Sequence, residues 1–206
     1  MPEGPEGIDK LALVGGALCL DFVNTVHDYS VPEPTDELGS MGDLVDWAQK
    51  AGTLASAPAR RLRELAEQHP VRAAASLEGA RTVRATIYKI FTAVAEGRAA
   101  AAADLDALRR AWAAALDNAQ LTPAGDAYQV EWKDGAVDFD GVVWPVVQSA
   151  IELLTSGEAT RTRGCGGTNC TWLFVDRSKN RSRRWCQMDV CGNRAKARRH
   201  YRRAQS

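Results

Sequence analysis

The chain has 206 residues, 45% hydrophobic and 25% charged, with 26 basic and 26 acidic side chains. That composition excludes a disordered or collagen-like polymer, and the length suits one sizeable core carrying a small extra module. The balanced total hides a split. Residues 161–206 hold 13 Lys+Arg and two acids, a net +11, which leaves −11 for the first 160 residues. An acidic body with a basic tail points to a polyanionic partner.

No apolar run approaches the ~18 residues of a membrane span. Residues 11–20 are apolar but short, broken by Gly15-Gly16 and preceded by Glu3 and Glu6, so neither a secretory leader nor a membrane partner is expected. A cytoplasmic location follows, where thiols stay reduced and clustered cysteines read as metal ligands.

In chain order, residues 1–10 are rich in Pro, Gly and Glu. Residues 18–26 form an apolar run that fits either a strand or a short helix. Residues 28–42 read as a polar loop with Pro32 and Pro34. A short helix is expected over 43–51, stopped by Gly52, and another after Pro58 with Leu62, Leu65 and Ala66 on one face. Val83, Ile87, Ile90, Phe91 and Val94 recur at helical spacing up to Gly97, and Leu105, Leu108, Trp112 and Leu116 repeat the pattern. Tyr128, Val130 and Trp132 then alternate ahead of Lys133-Asp134-Gly135, which predicts a β-hairpin over 127–140. Val143, Val147, Ile151 and Leu154 mark one more helix, closed by Gly157. The expected fold class is α+β. A mainly helical N-terminal domain with a small β-hairpin spans 1–158 and holds its own core. A treble-clef-like four-cysteine zinc finger spans 159–206 and ends in a basic helix.

The finger rests on Cys165, Cys170, Cys186 and Cys191, two C-x4-C pairs separated by 15 residues. Zn2+ takes four such soft ligands in a tetrahedron. Glycines 164, 166 and 167 let the backbone bend around the first pair. Residues 172–175 read as a strand and 192–203 as a helix, with Ala197, His200 and Tyr201 on a stripe that can pack back on the zinc module. Trp172, Phe174 and Trp185 read as the mini-core of the module, with base stacking as the other use of such rings. Cys19, the remaining cysteine, lies in an apolar run and reads as a buried thiol.

The candidate nucleic-acid contacts are Arg183, Arg184, Arg194, Lys196, Arg198, Arg199 and Arg202. A helix this dense in like charge repels itself and calls for an anionic partner. DNA supplies that charge along its axis and presents guanine edges that Arg pairs with bidentately. The three histidines are scattered, and no P-loop or dinucleotide fingerprint is present, so no enzyme is expected. A nuclease built around such a finger would need a histidine base and a second metal-ligand pair, which the finger lacks. Within the body, Asp21, Asn24 and Trp47 are the candidates for sensing a small-molecule effector, with capping and core packing as their simpler roles. The alternative function is a protein–protein or RNA-binding adaptor with a purely structural zinc module. The body is a candidate module for sensing or for homodimerisation.

Arg183-Arg184-Trp185-Cys186-x-Met188 followed by Cys191-Gly192-Asn193-Arg194-x-Lys196 resembles the CGNR zinc-finger family. Trp172-Leu173-Phe174-x-Asp176 is similar to the central strand of the same module. Leu20-Asp21-Phe22-Val23-Asn24-Thr25 and Leu153-Leu154-Thr155 resemble the ABATE domain that precedes this finger. The resemblance spans nearly the whole chain and implies a bacterial, stress-induced transcription regulator with the four cysteines as zinc ligands. Thr171 departs from the family, which more often has Gly there. Asn193 is expected to cap the helix that follows it.

Overall fold

The computed structural model describes residues 7–132 and 138–204. The undecided run at 18–26 resolves as a short helix, α1 (Leu18–Val23), with Cys19, Leu20, Phe22 and Val23 buried. After the polar loop comes α2 (Met41–Lys50), opened by a capping box in which Ser40 and Asp43 bond each other's backbone N–H. Gly52, at φ 77°, turns the chain out of it. Helix α3 (Ser56–Gln68) follows, then α4 (Pro70–Ala95), whose Pro70 occupies the first turn, where a missing N–H costs nothing. Helix α4, about 39 Å long at 1.5 Å per residue, is the spine of the body. It touches α1, α2, α3, α5 (Ala102–Leu116) and the segments that flank the finger. Its inner face, including Ala80, Ile87, Ile90 and Phe91, lies in the core.

Arg84 is also on that buried face. Its guanidinium bonds Thr25 Oγ1 at 2.7 Å and holds the Asp36 carboxylate through both of its terminal nitrogens. A buried charge survives only with such partners. The pair pins the 28–40 loop to α4, and the loop is also bridged to residue 26 by its own backbone. Beside it, buried Glu37 meets His27 Nε2 at 2.5 Å.

The hairpin differs from the expectation. Strand β2 (Ala127–Trp132) pairs backwards with β1 (Ala119–Ala124), with Leu121 opposite Val130 and Pro123 opposite Tyr128. The turn is Gly125-Asp126, where Gly125 takes φ 61°. The expected turn at 133–135 lies outside the described residues. The second strand expected towards residue 140 is instead a 3-10 segment, Phe139–Val143, which leads into α6 (Trp144–Thr155). Asp138 starts that segment by accepting the Phe139 N–H.

The finger follows a short 3-10 turn. Strand β3 (Thr162–Gly164) pairs antiparallel with β4 (Leu173–Val175), and Gly164 sits opposite Leu173. A π-helical turn, Met188–Gly192, then enters α7 (Asn193–Ala204). Trp172, Leu173, Phe174 and Val175 belong to the same buried cluster as α1, α4 and α6. The finger's strand is thus part of one continuous core, although the sequence suggested a body with a core of its own.

Candidate metal centre and nucleic-acid interface

The metal centre is assembled by backbone bonds between the two cysteine pairs. Cys165 N–H donates to Trp172 O at 2.8 Å, extending the β3–β4 ladder to the first ligand. Gly166 N–H donates to Arg184 O at 2.8 Å and draws the second half of the finger over the first. Space is tight around three of the glycines, whereas Gly164 has open space where a Cβ would stand. A Cβ on Gly167 would lie 3.1 Å from Cys191 Sγ and 3.3 Å from Cys165 Sγ, and one on Gly192 would run into Met188. The knuckle also contains Asn169 in the left-handed region, at φ 60°.

The four sulfurs all lie within 4.8 Å of one another. Cys186 Sγ is 3.7 Å from Cys170 Sγ and 3.5 Å from Cys191 Sγ. Four ligands at ~2.3 Å around a tetrahedral ion stand about 3.8 Å apart, so this cluster fits Zn2+. None of the cysteines is in a disulfide. The ionisation of the group tells the same story. Cys165 is held well below the usual thiol range by hydrogen bonds from Cys170 and Cys186, helped by the backbone N–H groups of Cys186 and Gly167. Cys170 and Cys186 are pushed up by the neighbouring sulfurs, and Cys191 by burial. One thiolate thus raises the cost of the next, and a divalent cation removes that conflict.

Cys191 lies in the π turn, where Gly192 N–H reaches back five residues to Gln187 O at 3.1 Å. Such a wide turn swings a side chain off the regular helical path, and here it carries the ligand inward. Asn193 does not cap the helix by accepting an N–H, as expected; its side-chain amide donates to Asp189 O at 3.1 Å. The amide thus ties the first turn of α7 to the wide turn before it. Asp176 orders the loop between the strands and the second cysteine pair. It accepts from Ser178 twice and from Arg183 N–H, and Ser178 chiefly holds its carboxyl below the usual range.

The basic residues divide into two groups. Arg183 turns inward, against the expectation of a nucleic-acid contact. Its guanidinium donates to Val14 O, Trp185 O and Cys186 O and lies 4.1 Å from the Phe174 ring centroid. Arg184, Arg194, Lys196, Arg198 and Arg199 are exposed. The side chain of Arg202 lies outside the described residues. The stripe expected to fold α7 back on the zinc module does not do so. Ala197 and Tyr201 are exposed, because the helix leaves the finger after its first turn at Cys191. Arg184 and Trp185 line an open cleft with Ser182 and Met188 beside that turn.

The sensing candidates are packed into the fold. Trp47 is fully buried 4.8 Å from Phe22, with its indole N–H unpartnered. Asn24 bonds Leu173, and Asp21 accepts the Gly15 N–H. Burial pushes the Asp21 carboxyl up to about 6. Cys19 is a buried thiol, pushed up to about 12 by burial. Trp172 and Phe174 are core residues, and Trp185 is half-buried. Thr171 Oγ1 accepts the Tyr29 N–H at 2.9 Å, a contact glycine could not make.

This geometry defines a four-cysteine zinc finger seated on a mainly helical domain. The family described as "Putative stress-induced transcription regulator", ABATE, matches residues 16–157, and the CGNR zinc finger matches residues 161–204. The chain belongs to the ABATE family and carries a CGNR finger. Both families are of regulator and zinc-finger type rather than enzymes. Among curated proteins, none matches the chain. No helix of the described residues is long and apolar enough to cross a membrane.

Proposed function

We propose that this protein is a zinc-dependent, DNA-binding transcription regulator whose contact surface is α7 together with the finger face bearing Arg184. One observation carries the reading. From the Cys191 corner of the metal cluster, α7 projects Arg194, Lys196, Arg198 and Arg199 into solvent without an acid among them. Arg194, Arg198 and Arg202 stand four apart, and each such like-charge pair costs a few tenths of a kcal/mol. A helix kept so dense in positive charge is best explained by an anionic partner. Duplex DNA offers one phosphate per ~1.7 Å of axis and a major groove that admits a helix.

The finger's part is to hold the helix root rigid through Cys191 and the π turn. The body's role as a sensing or dimerisation module belongs to the same proposal, and so does a cytoplasmic site of action. Variants of the zinc-loaded full chain test the assignment by fluorescence anisotropy on duplex DNA. Arg184→Ala and Arg198→Ala should weaken binding while leaving the melting temperature unchanged. Arg183→Ala should lower stability first, because it removes three bonds to backbone carbonyls and the guanidinium packed over Phe174. Unaltered DNA affinity in both Arg184→Ala and Arg198→Ala would remove this surface from the proposal.

A further inference from the structure

The polar residues of the motif at 20–25 serve neither the metal cluster directly nor the basic face. We propose that this motif is the seat of the finger, and that Asn24 is a positioning residue for the zinc centre, coupling zinc binding to the structure around α1.

Asn24 is 1% exposed. Its Nδ2 donates to Leu173 O at 2.9 Å, and its Oδ1 accepts Leu173 N–H at 2.9 Å. This two-point pairing imitates a neighbouring strand. β4 therefore has β3 along one edge; along the other it has the side chain of Asn24, the residue that ends α1, and the Gly15 carbonyl. The rung that Asn24 holds lies beside the first knuckle. Leu173 stands opposite Gly164, which precedes Cys165, and comes three residues after Cys170. Trp172 Nε1 adds a bond to Val26 O at 3.0 Å.

The second knuckle is reached through the same motif. Asp21 Oδ1 accepts Gly15 N–H at 2.7 Å and so fixes the loop before α1. Gly15 fits there because a Cβ would fall 2.8 Å from Leu20 Cβ. From that loop, Gly15 O accepts Val175 N–H at 2.8 Å, and Val14 O accepts Arg183 at 3.0 Å. Arg183 in turn donates to Cys186 O at 2.6 Å. Each cysteine pair thus has a hydrogen-bonded path, through the Asn24 or the Arg183 side chain, back to the segments that flank α1. Groups that orient metal ligands from one layer out commonly shift affinity 10–100-fold when removed. Coupling of this kind is reciprocal, so zinc must stabilise the body as much as the body favours zinc.

The test uses the full-length zinc protein, with metal affinity measured by chelator competition and the helical body followed by its melting temperature. Asn24→Ala leaves the Leu173 N–H and C=O without their partner, and zinc should bind about 10–100-fold more weakly, with a smaller zinc-dependent rise in melting temperature. Leu62→Ala is the control, a core change on α3 that should lower the melting temperature while zinc affinity stays within about twofold of the wild type. If Asn24→Ala fails to fold, Trp172→Phe decides, since it loses the bond to Val26 while keeping an aromatic ring in the core, and should cost several-fold in zinc affinity. Wild-type zinc affinity in the folded Asn24 or Trp172 variant would reduce the motif to ordinary core structure and overturn the proposal. An equal zinc defect in Leu62→Ala would overturn it as well.

Discussion

Replacing Cys186 with serine perturbs the best-buried ligand, which is 3% exposed and whose sulfur approaches two of the other three. A structural zinc in a small module is worth about 10–16 kcal/mol of apparent binding energy at neutral pH. Losing a thiolate should release most of it and undock the finger. Trp172, Leu173, Phe174 and Val175 are at most 8% exposed and pack in the common core. At roughly 1.5–3 kcal/mol per buried side chain, their withdrawal removes about 6–12 kcal/mol. That rivals the whole stability of an ordinary domain, about 5–15 kcal/mol. The body should therefore not stand unchanged. Even a net loss of about 4 kcal/mol lowers the melting temperature by roughly 8–16 °C in a chain of this size. Far-ultraviolet circular dichroism, dominated by the helices of the body, reads this out. A Cys186→Ser protein whose helical signal melts within about 2 °C of the wild type would refute the shared-core reasoning.

Two further outcomes follow. Leu108→Asp places a carboxylate at a position 2% exposed between α4 and α5, with no cation provided, and should cost about 3–5 kcal/mol in chemical denaturation; a variant as stable as the wild type would show that α5 is misplaced. Asp21 has its pKa raised from 3.8 to about 6, so the folded state binds more protons than the unfolded state between those values. Stability contributed by the protonated form is present below about pH 4 and is lost as pH rises through about 6. Asp21→Asn keeps an acceptor for Gly15 N–H without the charge. It should exceed the wild type by about 1–3 kcal/mol at pH 7.5 and lose that advantage near pH 4. A pH-independent difference would contradict this.

The helices of the body were legible because each buries one face, and that face repeats with the helical period in the sequence. α4 announces itself by Ile87, Ile90 and Phe91, and its end by Gly97; its two N-terminal turns from Pro70 went unread because small residues there carry no apolar stripe. The four cysteines were legible because metal ligands cluster in short, matched spacings. The hairpin was half read. The alternation at 128–132 is real, but the glycine turn lies before it, and Pro123 in β1 masks that strand; proline is tolerated there only because the two-stranded sheet leaves its N–H side unpaired. What stayed hidden was long-range. Asn24 and Leu173 are 149 residues apart, and no local pattern announces their pairing. Nor does a run of arginines reveal that one of them, Arg183, folds inward over Phe174. Thr171, a departure from the family's glycine, bonds the body, which no local pattern announces either.

The most direct test of the account is a salt titration of duplex DNA binding by the full-length zinc-loaded protein, repeated after zinc is removed. If α7 and Arg184 neutralise about five phosphates, log K should fall with log salt at a slope of roughly −4 to −5, and removal of zinc should weaken the binding together with loss of the ordered finger. A slope near zero, or binding indifferent to zinc, would contradict the claim that a metal-anchored basic helix is this protein's hold on DNA.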